Sequence, residues 1–155
     1  TKTIARRLAT DAGYLINEKT KNSNIVIIQC GIVDAVRFSI FLKKWWFLRP
    51  ILGPIIRREI LKRFVELQKK LELFPCSRIY ILELPEHYTT VADPKLVSFF
   101  NSQFKSLKLE NLEFIPLNWT YDHFNEYTFD SDHFTTSGHK NISDIFFRRI
   151  METFL

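Results

Sequence analysis

The chain has 155 residues, 46% of them apolar and 15% aromatic, which makes one domain with ample core material and excludes a disordered or low-complexity segment. Its formal net charge is +5 and its pI about 9.3. The surplus sits in Arg57, Arg58, Lys62, Arg63, Lys69 and Lys70, on one predicted helix, where it reads as a solvated face; no nucleic-acid-binding motif accompanies it, so nucleic acid is not an expected partner.

Ile4, Leu8, Ala12, Leu15 and Ile16 recur at helical spacing and predict an amphipathic helix over about residues 2–19. The β-branched run Ile25-Val26-Ile27-Ile28 has no polar alternation, as in a parallel strand covered on both faces, and Gly31 follows its C-terminal end. A helical insertion is predicted over about residues 37–74. It begins with the bulky stretch from Phe38 to Leu48 and continues in a helix opened by Pro54, with Ile56, Ile60, Phe64, Leu67 and Leu71 on one face. Trp45, Trp46 and Phe47 read as core packing of this insertion; stacking on a sugar and contact with a membrane surface beside Lys43, Lys44 and Arg49 are the alternatives.

Residues 77–84 are the next predicted strand. Asp93-Pro94 then opens a helix, because the aspartate accepts from free N–H groups and proline suits the first helical position; Leu96, Phe99, Phe100, Phe104 and Leu107 give its apolar face. A third strand is predicted over 112–117, then a loop of about a dozen residues to Asp130, then a final helix over about 137–154 with Ile142, Ile145, Phe146 and Ile150 inward. Alternating strands and helices imply an α/β fold with a parallel sheet between helical layers. Cys30 and Cys76 flank predicted strands without metal-ligand spacing and read as reduced structural thiols in a cytosolic setting. No apolar run of about 18 residues or more occurs, so no transmembrane segment is expected.

The chemistry concentrates near the C-terminus. Asp130 precedes His133 by three residues, a spacing that lets a carboxylate hold an imidazole in one tautomer as a general base. The bland alternative is a histidine that merely caps the last helix. Asp132 competes as the orienting acid, but its adjacency to His133 makes the geometry less natural. His139 falls in the first turn of the final helix, where a protonated ring would oppose the dipole, and reads as a surface residue. His87 and His123 fall in loops without a Cys or His at ligand spacing, so no metal site is expected. Gly31 either lets the backbone approach a substrate carbonyl or serves a tight turn. Asp34 reads as fixing that loop.

Asp130 and His133, continued by Phe134-Thr135-Thr136-Ser137-Gly138-His139, resemble the last motif of the SGNH (GDSL-like) hydrolases, a serine esterase superfamily. Upstream, Gln29-Cys30-Gly31-Ile32-Val33-Asp34 is similar to the Gly-x-Asn-Asp segment that follows a central strand in that superfamily, with Val33 where asparagine is usual. Gly-Ile-Val-Asp followed by Arg37 is similar to a subset of bacterial enzymes associated with surface polysaccharides. The resemblance implies a three-layer, flavodoxin-like fold of which residues 1–155 form the C-terminal two-thirds of a single domain. The first strand and the Gly-Asp-Ser nucleophile loop are then expected ahead of Thr1, and the strand edge they leave bare predicts poor solubility for residues 1–155 alone.

The same resemblance makes His133 the general base and Asp130 its orienting acid, with Gly31, Asp34 and Arg37 on the oxyanion or substrate loop. It implies no metal or organic cofactor, and a small-molecule or glycan ester as substrate, such as a carbohydrate O-acetyl group. The superfamily asparagine replaced by Val33 donates to the oxyanion, and losing one such donor costs roughly 100- to 1000-fold in rate; Arg37 or backbone amides are the alternative donors. Two other readings share these residues: a non-catalytic domain that binds a glycan or a protein, and an acyltransferase using the same serine chemistry.

Overall fold

The computed structural model describes residues 25–73, 78–86, 92–128 and 133–154. The helix expected over residues 2–19, as well as Cys76, His87, Asp130 and Asp132, lies outside the described residues. Three strands, β1 (Ile25–Ile28), β2 (Arg78–Leu82) and β3 (Leu112–Ile115), pair in parallel in the order β1-β2-β3. Ile27 lies opposite Tyr80 and Ile81 opposite Phe114. Parallel neighbours require crossovers. Helices α1 (Ile32–Lys44) and α2 (Arg49–Glu72), joined by a 3₁₀ turn at Trp46–Leu48, connect β1 to β2. Helix α3 (Pro94–Lys105) connects β2 to β3, and α4 (Tyr121–Tyr127) and α5 (Thr136–Phe154) follow. The expected α/β class is what the chain adopts.

Strand side chains alternate between two apolar layers. Val26, Ile28, Ile79 and Ile81 enter one core with Phe38 of α1, Ile60 and Phe64 of α2, and Val97, Phe100 and Phe104 of α3. Tyr80, Leu82 and Ile115 enter the other, closed by Phe146 of α5 with Ile142, Ile145 and Ile150 against it. The central strand β2 is therefore buried on both faces. For β1 the expected cover is complete on one face and partial on the other, where Ile25 packs against the second layer while Ile27 keeps 43% of its surface exposed. The cause is reach: α5 packs over Tyr80 and Ile115, on β2 and β3, and its apolar stripe closes there.

The insertion region differs in detail from the sequence expectation. Helix α2 opens at Arg49 with Pro50 in its first turn, not at Pro54, which lies inside the helix. Pro50 loses nothing there, because first-turn N–H groups have no partner within the helix. Pro54 gives up the bond to the Pro50 carbonyl, and the buried stripe Ile56, Ile60, Phe64, Leu67 and Leu71 holds the helix regardless. Trp45, Trp46 and Phe47 do not pack into a core: they are 39%, 74% and 58% exposed. Finally, the loop expected before Asp130 contains α4, and His123 sits in it rather than in a loop. Thr120 accepts from the His123 backbone and donates its own backbone N–H to His123 Nδ1 at 3.3 Å, a capping box with histidine in the third position.

Candidate functional site

Gly31 stands where β1 turns into α1. Its φ of 105° is left-handed, and a Cβ there would lie 3.3 Å from Leu84 Cδ1 and from Phe100 Cδ1. A tight turn pressed on two side chains therefore accounts fully for glycine at this position. Its carbonyl accepts from Ala35 N at 2.9 Å and starts α1. Asp34 is buried in the first turn, where the helix N-terminus favours a carboxylate, and Arg37 is half-buried one turn on. The motif residues Gly31, Asp34 and Arg37 thus share one helical start.

The adjoining C-terminal end of β2 is held by a side chain that the sequence reading missed. Asn101 on α3, 1% exposed, accepts from Leu84 N at 2.9 Å and donates to Leu84 O at 2.8 Å, acting as a strand partner for one residue. Leu84 is the residue against which Gly31 packs. Glu83 next to it accepts from Leu117 N at 2.9 Å and so ties the exit of β2 to the exit of β3. A polar residue inside an otherwise apolar helical stripe is the one sequence signal that would have singled out Asn101.

His133 lies beyond β3, exposed, on the segment between α4 and α5. That segment is fixed by its neighbours. Thr135 N donates to Tyr127 O at 2.8 Å, and Thr135 Oγ1 donates to Glu126 O at 2.9 Å. The same hydroxyl accepts from Gly138 N at 3.1 Å, which makes Thr135 the cap of α5. Phe134 packs edge-on against Trp119 at 5.5 Å and against His139 at 5.6 Å, and it bridges to Thr128. Gly138 is pressed so closely on the Tyr127 carbonyl that a Cβ would collide with it. His139 is exposed, as expected.

Both groups stand at the C-terminal edge of the parallel sheet, where α/β folds place their ligands. One follows β1 and the other β3, with β2 between them, so their strand ends are about 10 Å apart. Phe124 of α4 links the two: α4 follows β3, yet Phe124 is buried in the core shared with Leu84, Phe100 and Phe104. A cleft of about 340 Å³ opens beside the His133 segment, lined by Trp119, His123, Tyr127, Asn141 and Arg148 among others. His123 stacks on Tyr127 with ring planes 3° apart, and Trp119 Nε1 donates to Asn141 Oδ1 at 3.0 Å. No group of three or more His, Cys, Asp or Glu side chains converges among the described residues, and no described helix is long and apolar enough to cross a membrane. Comparison with models of protein families, with characterised proteins and with solved structures found no match to this chain.

Proposed function

We propose that this chain is the part of an SGNH-type serine acyl hydrolase that carries the general base, acting on an ester such as an O-acetyl group on a carbohydrate. The observation that carries the reading is His133, exposed on a segment pinned just ahead of α5, at the same sheet edge as the Gly31 turn. The sheet order β1-β2-β3 supports it as well, since the last three strands of a flavodoxin-like sheet are neighbours in that order.

In this reading a serine hydroxyl attacks the ester carbonyl, and His133 takes its proton and returns it to the departing alcohol. Water then attacks the acyl-enzyme and gives a proton to His133, which passes it to the departing serine oxygen, releasing the acid and the free serine. Asp130 orients the imidazole. Gly31 and the first amides of α1 lie on the oxyanion side, and Arg37 is the cation nearest in sequence to replace the donor that Val33 lacks. The serine is the group this reading leaves to the rest of the protein, and no metal or organic cofactor takes part.

The full-length protein, treated with a fluorophosphonate serine probe, is expected to carry an adduct on one serine, and His133→Ala is expected to abolish it along with esterase turnover. Turnover unchanged in His133→Ala would defeat the assignment. A second reading, a non-catalytic glycan-binding domain, is favoured by Val33 and by the Trp119 and Tyr127 rings in the adjacent cleft. Absence of any adduct on folded protein, with glycan binding lost in Trp119→Ala, would select it.

A further inference from the structure

The joint between α1 and α2 gathers several exposed apolar side chains. Trp46 and Phe47 at its tip are 74% and 58% exposed, and Phe41, Trp45, Ile51 and Ile55 extend the patch along both helices. The rings touch one another: Phe47 lies 5.9 Å from Trp45 and 6.4 Å from Trp46. Isolated exposed apolar residues need no explanation, but a contiguous aromatic tip flanked by aliphatic residues does.

Its surroundings are cationic. Between residues 37 and 63 the sequence carries eight Lys or Arg and a single acid, Glu59. Glu59 is committed to Arg63, and Arg49 to Asp93. Lys43, Lys44, Arg58 and Lys62 are exposed and make no ion pair among the described residues. Two of them close α1, and the other two follow Ile51 and Ile55 down the outward face of α2.

We propose that this elbow is a docking site for an anionic lipid bilayer surface. Tryptophan and phenylalanine settle at the boundary between headgroups and acyl chains, while lysine and arginine beside them reach the anionic headgroups. A second copy of the chain fits less well, because a two-fold contact centred on the tip would set the same cations against each other. A protein partner fits less well too, since interface cores are depleted of lysine. Arg49 at the elbow pairs with Asp93, the cap of α3, and α3 starts after the C-terminal end of β2. The elbow therefore stands on the side of the sheet edge that carries Gly31, and docking turns that edge toward the membrane.

The test is co-sedimentation of the full-length protein with vesicles of phosphatidylcholine, with and without phosphatidylglycerol. The protein is expected on the anionic vesicles only, with tryptophan emission shifted to the blue. Trp46→Ser/Phe47→Ser should weaken binding about tenfold or more. Lys43→Ser/Lys44→Ser should weaken it at least about fivefold and flatten its salt dependence. Phe147→Ser, an equally exposed site on α5, should change nothing. The substituted side chains are largely exposed, so thermal melts of the variants should match wild type. Equal binding by wild type and both elbow variants overturns the proposal. So does absence of binding to the anionic vesicles, and a dimer that Trp46→Ser/Phe47→Ser dissociates would then give the surface to a second copy.

Discussion

Asn101 supplies both hydrogen bonds of a buried backbone unit, so its removal strands a donor and an acceptor at Leu84 in a place water does not reach. An unsatisfied buried group costs about 1–3 kcal/mol, and Asn101→Ala is accordingly expected to destabilise by about 2–4 kcal/mol in urea unfolding. Asn101→Asp keeps the acceptor and should retain part of the loss. Gly138 is a different case, since its constraint is steric: Gly138→Ala forces the Tyr127 carbonyl away from the first turn of α5 and should cost about 1–3 kcal/mol. The segment holding His133 and Gly138 stands out in the sequence because the residues of its motif lie a few positions apart, but the contact that demands glycine at 138 is with Tyr127 and does not show there. Asn101 was not legible either, because its partner is 17 residues distant and its meaning arises only when β2 and α3 pack.

Helix α3 shows how two interactions at one side chain are ranked. Asp93 accepts from Lys95 N at 3.0 Å as a cap and also pairs with Arg49, whose side chain is 55% exposed. A cap contributes about 1 kcal/mol and an exposed ion pair less than that. Asp93→Asn, which keeps the cap, should therefore melt close to wild type, whereas Asp93→Ala should lose about 1 kcal/mol or more by thermal denaturation. Ser39 adds to the same joint, accepting from Asp93 N at 2.7 Å and donating to Ala35 O at 2.7 Å, and it locks α1 to the start of α3. The Asp-Pro start of α3 was readable because cap and first-turn proline agree. The start of α2 was not, because Pro50 and Pro54 both satisfy the same rule and only packing selects the earlier. Helix α4 escaped notice because its 7 residues carry too few turns for a period, and its capping box uses histidine where glutamate or glutamine is usual. In α1 the apolar residues surround the helix, with Phe38 and Leu42 inward and Ile40 and Phe41 outward, so bulk alone did not reveal which side faces solvent.

At the scale of the molecule, the alternation of strand and helix was enough to give a parallel sheet with helices on both faces, since each crossover must return the chain to the same end. What alternation does not encode is how far the last helix reaches across the second face, because that depends on where Phe146 finds its pocket beside Tyr80. The uneven cover divides the sheet. Strand β2 is flanked on both edges and buried on both faces, while β1 exposes Ile27 and, among the described residues, pairs along one edge. In native-state hydrogen exchange the amides of β2 are expected to open only with global unfolding, and those of β1 through a cheaper sub-global excursion. A β1 amide exchanging as slowly as that of Ile81 would contradict this ranking. The excursion is expected to release Gly31 from Leu84 while the Thr135 contacts at Tyr127 stay closed, so that order at one half of the candidate site would be lost before order at the other.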